Sequence, residues 1–241
     1  MKKLGILIFL ILSSEFLYAQ GMIDAMGALL RSDSTEKQIF LCFTGHDQDQ
    51  GFGYVLDVLE KRKIHASFFL TGDFVRGHRE LVVNMAKRGH YVGAHSDRHL
   101  LYCDWQERGK LLVKPDDIQN DIANNLAELQ TLGIESHFFM PPYEWYNEKV
   151  VLLAQELGQI TVNFTPGTGS NADYTTPEMP NYKSSDWIMT SILQREEKSG
   201  LAGYHILIHP GIDPRRTDKF YLRLDELIEE LSRRGYGFKR F

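Results

Sequence analysis

Cysteine is scarce in this chain of 241 residues, which contains only Cys42 and Cys103. Two cysteines cannot build the multiple-disulfide framework that holds many small secreted folds together. They could pair in an oxidising compartment, but the sequence does not give the distance between them. Because Cys42 lies in an apolar run, we expect it to be a buried thiol that behaves as a small hydrophobic residue.

Positive charge is also limited. The chain has 27 basic and 32 acidic residues, which give a net charge of −5, and the basic residues form no long run. Proteins that bind nucleic acid or an anionic membrane surface usually carry a clustered positive excess. We therefore predict no nucleic-acid partner, and nothing in the composition indicates an oligomeric state.

Apolar runs are short throughout the chain. The longest covers residues 4–12 and contains one glycine, whereas a membrane-spanning helix needs about 20 apolar residues. This run follows Lys2 and Lys3 and precedes the small and polar residues at positions 18–20. That order predicts a secretory signal peptide over residues 1–20 and export to the periplasm or the medium. A retained amphipathic anchor is the alternative.

The rest of the chain alternates between short β-rich runs and longer segments with helical spacing. The runs predict about seven strands, at residues 39–43, 66–70, 91–94, 137–140, 160–164, 206–208 and 236–241. Among the helices, Pro115 and two following aspartates predict a helix start. Strand–helix alternation predicts an α/β fold with a parallel sheet and outer helices. We assign residues 21–37 to an N-terminal extension and 38–241 to one domain.

Side chains that can bind a metal or transfer a proton follow several of the predicted strands. Because a parallel α/β fold builds its active site from the loops after its strands, these groups should meet at one end of the sheet. The long loop at residues 165–186 is a further candidate for a functional surface. The strand-end sequences are Thr44-Gly45-His46-Asp47, His95-Ser96-Asp97-Arg98-His99, Pro141-Pro142-Tyr143-Glu144 and His209-Pro210-Gly211.

The two histidines of the second sequence have the spacing of a metal site. His95 and His99 are four residues apart, so on a helical turn both imidazoles would share one face. Asp47, at the end of the first strand, is the best third ligand. Two histidines and one carboxylate leave positions open for water and substrate, as a catalytic metal site requires. The alternative is a pair of ordinary loop histidines.

These sequences resemble the five ordered motifs of the polysaccharide deacetylases, carbohydrate esterase family 4. The resemblance extends from about Gln38 to Phe241, and residues 65–72 also resemble that family's second strand. The five matching stretches are Thr44-Gly45-His46-Asp47, His95-Ser96-Asp97-Arg98-His99, Met140-Pro141-Pro142-Tyr143, Ser185-Asp186-Trp187 and Leu207-Ile208-His209.

The resemblance implies a distorted (β/α) barrel with about seven parallel strands. It also implies one divalent metal, usually Zn²⁺ with Co²⁺ or Ni²⁺ as alternatives, and hydrolysis of an acetamide or acetate ester on a carbohydrate. By the same resemblance, Asp47, His95 and His99 hold the metal and His209 is the general acid. The backbone N–H of Tyr143 helps to hold the oxyanion, and Trp187 and Leu207 line the acetyl pocket.

Two positions depart from the family pattern. The family's first motif normally has two aspartates, the first of which is the catalytic base, and here His46 takes that place. The arginine that normally begins the third motif and pairs with that base is replaced by Met140. The two changes agree, because a buried arginine without its carboxylate partner would be an uncompensated charge.

Several residues could replace the missing base. His46 could accept the proton itself or could be an additional metal ligand, which would leave Asp47 as the base. Glu144 is the second candidate and Asp49 the third. In the substrate site, Trp105, Trp145 and Tyr146 could stack on sugar rings or could be packing, and Asp186 could orient His209 or could be a solvated loop residue.

Three functions are consistent with these residues. The first is an exported, metal-dependent carbohydrate deacetylase. The second is a non-catalytic carbohydrate-binding protein on the same scaffold, which the missing aspartate and arginine would favour. The third is a metal hydrolase that acts on a different bond.

Overall fold

The computed structural model describes residues 21–241, so the predicted signal peptide at residues 1–20 lies outside the described residues. No helix in residues 21–241 is long and apolar enough to cross a membrane. The described chain contains a two-stranded antiparallel sheet, a seven-stranded sheet and surrounding helices. The strands are β1 (Met22–Ile23), β2 (Leu29–Arg31), β3 (Gln38–Gly45), β4 (Ser67–Leu70), β5 (Tyr91–Ala94), β6 (Phe138–Phe139), β7 (Ile160–Thr161), β8 (His205–Ile208) and β9 (Gly237–Lys239).

The large sheet has the order β7-β6-β5-β4-β3-β8, and β9 also pairs with β3. Each of these pairings is parallel. The prediction of about seven parallel strands in a distorted barrel is therefore confirmed. Because the strands are parallel, their carboxyl ends meet at one end of the barrel, where the loops after β3, β5, β6 and β8 converge.

Helices cover the outside of the sheet. They are α1 (Phe52–Arg62), α2 (Gly72–Gly77), α3 (Arg79–Lys87), α4 (Pro115–Gln130), α5 (Glu148–Glu156), α6 (Ser185–Ser199) and α7 (Leu224–Arg233). The predicted start of α4 is confirmed, with Pro115 in its first turn together with two acidic residues. Proline suits this position because the first N–H groups of a helix have no partner within the helix. Short 3₁₀ segments lie at Pro142–Glu144, Ser170–Tyr174 and Phe220–Arg223.

Strand β3 is buried on both faces, as expected for a central parallel strand. Ile39, Leu41 and Phe43 pack into the main core beneath the helices. Phe40 and Cys42 point to the other side and join a second cluster inside the barrel. The alternation follows from the two-residue period of a strand, which sends successive side chains to opposite faces.

The hairpin of β1 and β2 bridges the two edges of the curled sheet. Leu29 forms a parallel bridge with Val162, just after β7, and Arg31 forms an antiparallel bridge with Tyr204, just before β8. Leu29 also packs into the interior cluster. Segment 21–37 therefore contributes to the closure of the barrel.

Both cysteines are buried and free. Cys42 lies in the interior cluster, as predicted, and desolvation raises the pKa of its thiol well above the ordinary value. Cys103 belongs instead to the main core. The fold therefore holds together without a bond between these two residues.

Candidate functional site

A cavity of about 400 Å³ opens at the carboxyl ends of the strands. Its wall combines histidines with aromatic side chains and one carboxylate. The lining residues are Thr44, His46, His95, His99, Trp105, Tyr143, Glu144, Tyr174, His209 and Gly211. The loops after β3, β5, β6 and β8 all contribute, so the sequence-predicted convergence of strand ends holds for the histidines and for Glu144.

His95 follows β5 directly and is almost fully buried. Its Nδ1 lies 2.8 Å from the carbonyl oxygen of Met140. Since a carbonyl can only accept, Nδ1 carries the proton and Nε2 keeps its lone pair. Burial lowers the pKa of His95 to about 3, so the imidazole is neutral at physiological pH. Such a ring, with one nitrogen donating to a carbonyl, is typical of a metal-binding histidine.

The loop that carries His99 is not the helical turn that the four-residue spacing suggested. Ser96 and His99 adopt left-handed backbone conformations, with φ of 69° and 54°, and the N–H of His99 donates to Oγ of Ser96 at 3.0 Å. This bent loop still brings the rings of His95 and His99 to a centroid distance of 4.9 Å. Desolvation lowers the pKa of His99 to about 2, so this imidazole is also neutral.

Helix α4 supports the histidine loop with two buried polar side chains that the sequence analysis did not single out. Asn125 accepts the backbone N–H of His95 through Oδ1 at 2.8 Å. Asp121, one helical turn earlier, accepts the N–H of Arg98 at 3.0 Å and the hydroxyl of Tyr102 at 2.7 Å. A pair of polar residues on the apolar face of a predicted helix was the signal that could have revealed them.

Of the polar residues at and after the end of β3, some line the cavity and others do not. His46 lines the cavity, and its ring stacks on that of His99 at 4.6 Å. Asp47, which like His46 is exposed in the loop after β3, does not line this cavity. Asp49 faces His78 at 3.4 Å rather than the cavity. Thr44 reaches the cavity wall, and its buried hydroxyl has no hydrogen-bond partner within residues 21–241.

Glu144 lies in a tight turn with unusual backbone geometry. Tyr143 and Glu144 both have positive φ, 60° and 52°, a conformation that side-chain-bearing residues seldom adopt. Within the turn, the N–H groups of Glu144 and Trp145 donate to the carbonyls of Pro141 and Pro142. The N–H of Tyr143 makes no hydrogen bond within the turn. Desolvation raises the pKa of Glu144 to about 7. Strained backbone and a shifted carboxyl pKa at one cavity are features of functional sites.

His209, at the end of β8, has a carboxylate partner. Its Nδ1 lies 2.6 Å from Oδ1 of Asp173, and its backbone N–H donates to Oδ2 of Asp173 at 2.8 Å. Burial lowers the pKa of His209, but Asp173 and Glu144 more than compensate, so the net pKa is raised above the ordinary value. A protonated imidazole held by a buried carboxylate can serve as a proton donor.

Asp173 is thus the residue that orients His209, and the sequence analysis missed it. It is fully buried and lies in the 3₁₀ segment Ser170–Tyr174 of the long loop. The loop is fastened by Arg216, a fully buried side chain that donates to the carbonyls of Thr175 at 2.8 Å and Lys183 at 3.0 Å. The richness of this loop in polar residues was the only sequence signal for a function.

The four predicted substrate-binding residues occupy different environments. Asp186 is 94% exposed and pairs with Arg223 rather than His209. Trp187 is 44% exposed and lies against Lys183 and Gly169, and Leu207 points into the barrel interior; neither lines this cavity. Trp145 is partly buried behind Trp105, which does line it. Tyr174, which the sequence analysis also missed, lines the cavity near the ring of His209, 5.7 Å away.

The histidines of the cavity are suitable donors for a divalent metal. Within residues 21–241, no group of three or more histidine, cysteine, aspartate or glutamate side chains is already arranged around a metal position. The donor chemistry nevertheless fits, because His46, His95 and His99 cluster at the cavity and His95 has a free Nε2. The stacked rings of His46 and His99, only 20° from parallel, explain why the set is not preassembled: their in-plane lone pairs do not converge.

Comparisons with known proteins agree on a family. The family model described as polysaccharide deacetylase matches residues 31–162. The peptidoglycan-N-acetylmuramic acid deacetylase PdaA of Bacillus subtilis is 24% identical over 90% of this chain and 75% of its own length. A peptidoglycan-N-acetylglucosamine deacetylase of Bacillus cereus is 26% identical over 85% of this chain and 86% of its own. A CE4-family pseudoenzyme from Bacillus anthracis shares the fold, with a TM-score of 0.69 and 20% identity over 90% of this chain and 68% of that one.

Proposed function

This chain belongs to the polysaccharide deacetylase family, and from that premise we propose that it is a metal-dependent hydrolase of acetyl groups on a carbohydrate. The acetyl group is N- or O-linked, and the carbohydrate is a polysaccharide of the cell wall or a related polymer. We place the protein in the periplasm or the medium after removal of residues 1–20. The observation that carries the proposal is the His209–Asp173 pair, which shares one cavity with His95 and His99.

We propose that His95 and His99 hold a divalent metal, most simply Zn²⁺, and that a third ligand comes from the loop after β3. His46, which lines the cavity, is the first candidate, although its ring must leave the stack with His99 for their lone pairs to converge; Asp47, the ligand that the family resemblance implies, is the second. When bound, the metal supplies Lewis-acid polarisation and lowers the pKa of water. Loss of metal in His46→Ala but not in Asp47→Asn, measured by elemental analysis, would support this choice, and the reverse pattern would restore Asp47.

The remaining steps use the chain's own groups. If His46 is a ligand, Glu144 is the best base, because its carboxyl lines the cavity with a pKa of about 7 and can accept a proton from the attacking water. The backbone N–H of Tyr143, which the turn does not use, is a donor for the oxyanion of the substrate. His209, protonated and held through Nδ1 by Asp173, delivers a proton from Nε2 to the leaving amine or alcohol.

A second candidate function is carbohydrate binding without turnover. It is favoured by the end of β3, where the last strand residues are Thr44 and Gly45 and the cavity receives no carboxylate from this side. The B. anthracis relative of the same fold is described as a pseudoenzyme. In this case the histidines and aromatic residues would retain a glycan in the cavity, but no base would activate water.

Acetate release separates the functions. The purified protein, loaded with Zn²⁺, is incubated with N-acetylated chitooligosaccharides, peptidoglycan and acetylated xylan, and His209→Gln is assayed beside it. Acetate from at least one substrate, decreased about 100-fold or more in His209→Gln, supports deacetylation with this histidine as acid. Glycan binding without acetate from any substrate supports the binding function. Turnover of ester or phosphoester substrates alone supports a hydrolase of a different bond.

A further inference from the structure

We propose that Trp105 forms a stacking platform for a second sugar ring, beside the ring that carries the acetyl group. This inference rests on the proposed function for the identity of the ligand and adds that the site takes an oligosaccharide rather than a single sugar. Trp105 is 54% exposed, the largest exposed fraction among the aromatic residues of the cavity wall. It lies in the loop between β5 and α4, outside the stretches that resemble family motifs.

The exposed indole of Trp105 packs against a second tryptophan, which holds it in place. Its ring stacks on Trp145 at a centroid distance of 5.3 Å and an angle of 30°. Trp145 is fixed in turn, because its Nε1 donates to the carbonyl of Asp104 at 3.1 Å and the guanidinium of Arg108 lies 4.3 Å from its ring. Trp105 therefore presents a fixed aromatic surface, and binding to it would require little further ordering.

The loop that carries Trp105 is ordered by its own hydrogen bonds. Oδ1 of Asp104 accepts the N–H groups of Gln106 at 2.8 Å and Glu107 at 3.0 Å. The backbone N–H of Asp104 donates to the carbonyl of Lys110 at 3.0 Å. Exposure of a large apolar side chain to water is unfavourable, and a loop held by these hydrogen bonds does not move to bury it. A ligand that covers the indole would remove this apolar surface from water.

The position of Trp105 identifies the occupant. Tyr143 packs edge-on against Trp105 at 5.8 Å and contacts the ring of His99 at 4.4 Å. The platform thus begins one side chain away from the proposed metal ligands and belongs to the same cavity. A pyranose ring presents an apolar C–H face that suits an indole. A single indole is far too small for a stable protein partner, which covers about 800 Å² of each surface.

Binding tests the platform without reliance on turnover. All variants are made in the His209→Gln background, so that the ligand is not consumed, and are titrated with N-acetylglucosamine and its β-1,4-linked tetramer by calorimetry. We expect the tetramer to bind at least about tenfold more tightly than the monosaccharide. Trp105→Ala should weaken binding of the tetramer by about three- to tenfold and leave binding of the monosaccharide unchanged. Trp105→Tyr, which keeps a ring, should restore most of the loss.

Tyr54 of α1 supplies a control, because it is an aromatic residue that is 38% exposed and does not line the cavity. Tyr54→Ala should bind both sugars as the parent protein does. The platform is refuted if Trp105→Ala binds the tetramer as tightly as its parent, or if the parent does not prefer the tetramer. If the platform behaves as expected but the protein with His209 intact releases no acetate, the hydrolase proposal fails and the binding subsite stands.

Discussion

The ends of β5 and β8 each present a buried histidine to the cavity, but the two imidazoles have opposite environments. His95 donates from Nδ1 to the carbonyl of Met140, a neutral partner, and burial lowers its pKa to about 3. His209 has the Asp173 carboxylate in the same place, and its pKa is raised although desolvation opposes the charged form there too. The charge of the oxygen at the partner position therefore separates a neutral imidazole from one that keeps its proton to higher pH.

The largest effect is expected at the neutral histidine. His95→Ala removes an imidazole whose Nε2 is free to bind a metal, so the variant should lose both bound Zn²⁺ and acetate release. Because a catalytic metal supplies several kcal/mol of transition-state stabilisation, the rate should fall by about 1000-fold or more. Elemental analysis and an acetate assay give the two readouts. Full zinc occupancy in this variant would remove His95 from the ligand set.

The next effect concerns the carboxyl of Glu144, which lines the same cavity as the two histidines. Glu144 must be ionised to act as a base, so the rate should rise as the pH passes through its pKa of about 7. Glu144→Gln removes this group at nearly constant size and should lower the rate by about 100-fold or more. A pH–rate profile measured from pH 5 to 9 should lose its acidic limb in the variant. An unchanged limb would return the role of base to the loop after β3.

Replacement of Asp173 by a neutral residue should lower the pKa of His209 toward that of His95, whose partner is the neutral carbonyl of Met140. Asp173→Asn removes the negative charge that raises the pKa of His209. A lower pKa means that the proton is lost at lower pH, so the alkaline limb of the pH–rate profile should move to lower pH and the maximal rate should fall by about 100-fold. Asp186→Asn is the control, because that carboxylate is exposed and pairs with Arg223. Equal profiles in both variants would contradict the role of Asp173.

A smaller effect is expected at Asn125, which holds the backbone of His95 in place. Asn125→Ala removes the acceptor for the backbone N–H of His95 and should cost about 1–2 kcal/mol in the free energy of unfolding, with a weakening of zinc affinity by about tenfold. Chemical denaturation and a competitive zinc titration measure the two quantities. Asn124→Ala, next to it on the exposed face of α4, should change neither. Loss of stability without loss of zinc affinity would limit Asn125 to a structural role.

The sequence predicted the parts of this site that depend on strand order. His95, His99, Glu144 and His209 each follow an apolar run, and parallel pairing brings the ends of such runs together. The hydrogen-bond partners of these residues could not be predicted from the sequence. Asp173 contacts His209 across 36 residues of sequence, through a loop whose path is set by a buried arginine.

The first strand shows a different limit. The sequence analysis chose Asp47 as the third ligand because it follows the first strand, whereas in the structure His46 lines the cavity and Asp47 does not; which of the two binds a metal stays a prediction. His46 and Asp47 are adjacent in sequence, and only the backbone of the loop distinguishes them. Similarly, the four-residue spacing of His95 and His99 indicated proximity, whereas a bent loop with two left-handed residues produces it.

Acetate release as a function of zinc occupancy tests the central claim most directly. The metal-free protein is titrated with Zn²⁺, and acetate from an N-acetylated glycan is measured at each occupancy. We predict that the rate rises in proportion to bound zinc, saturates at about one ion per chain and returns to background on chelation. No acetate at one bound zinc per chain, or a rate indifferent to the chelator, would contradict the assignment of this cavity as a metal-dependent deacetylase site.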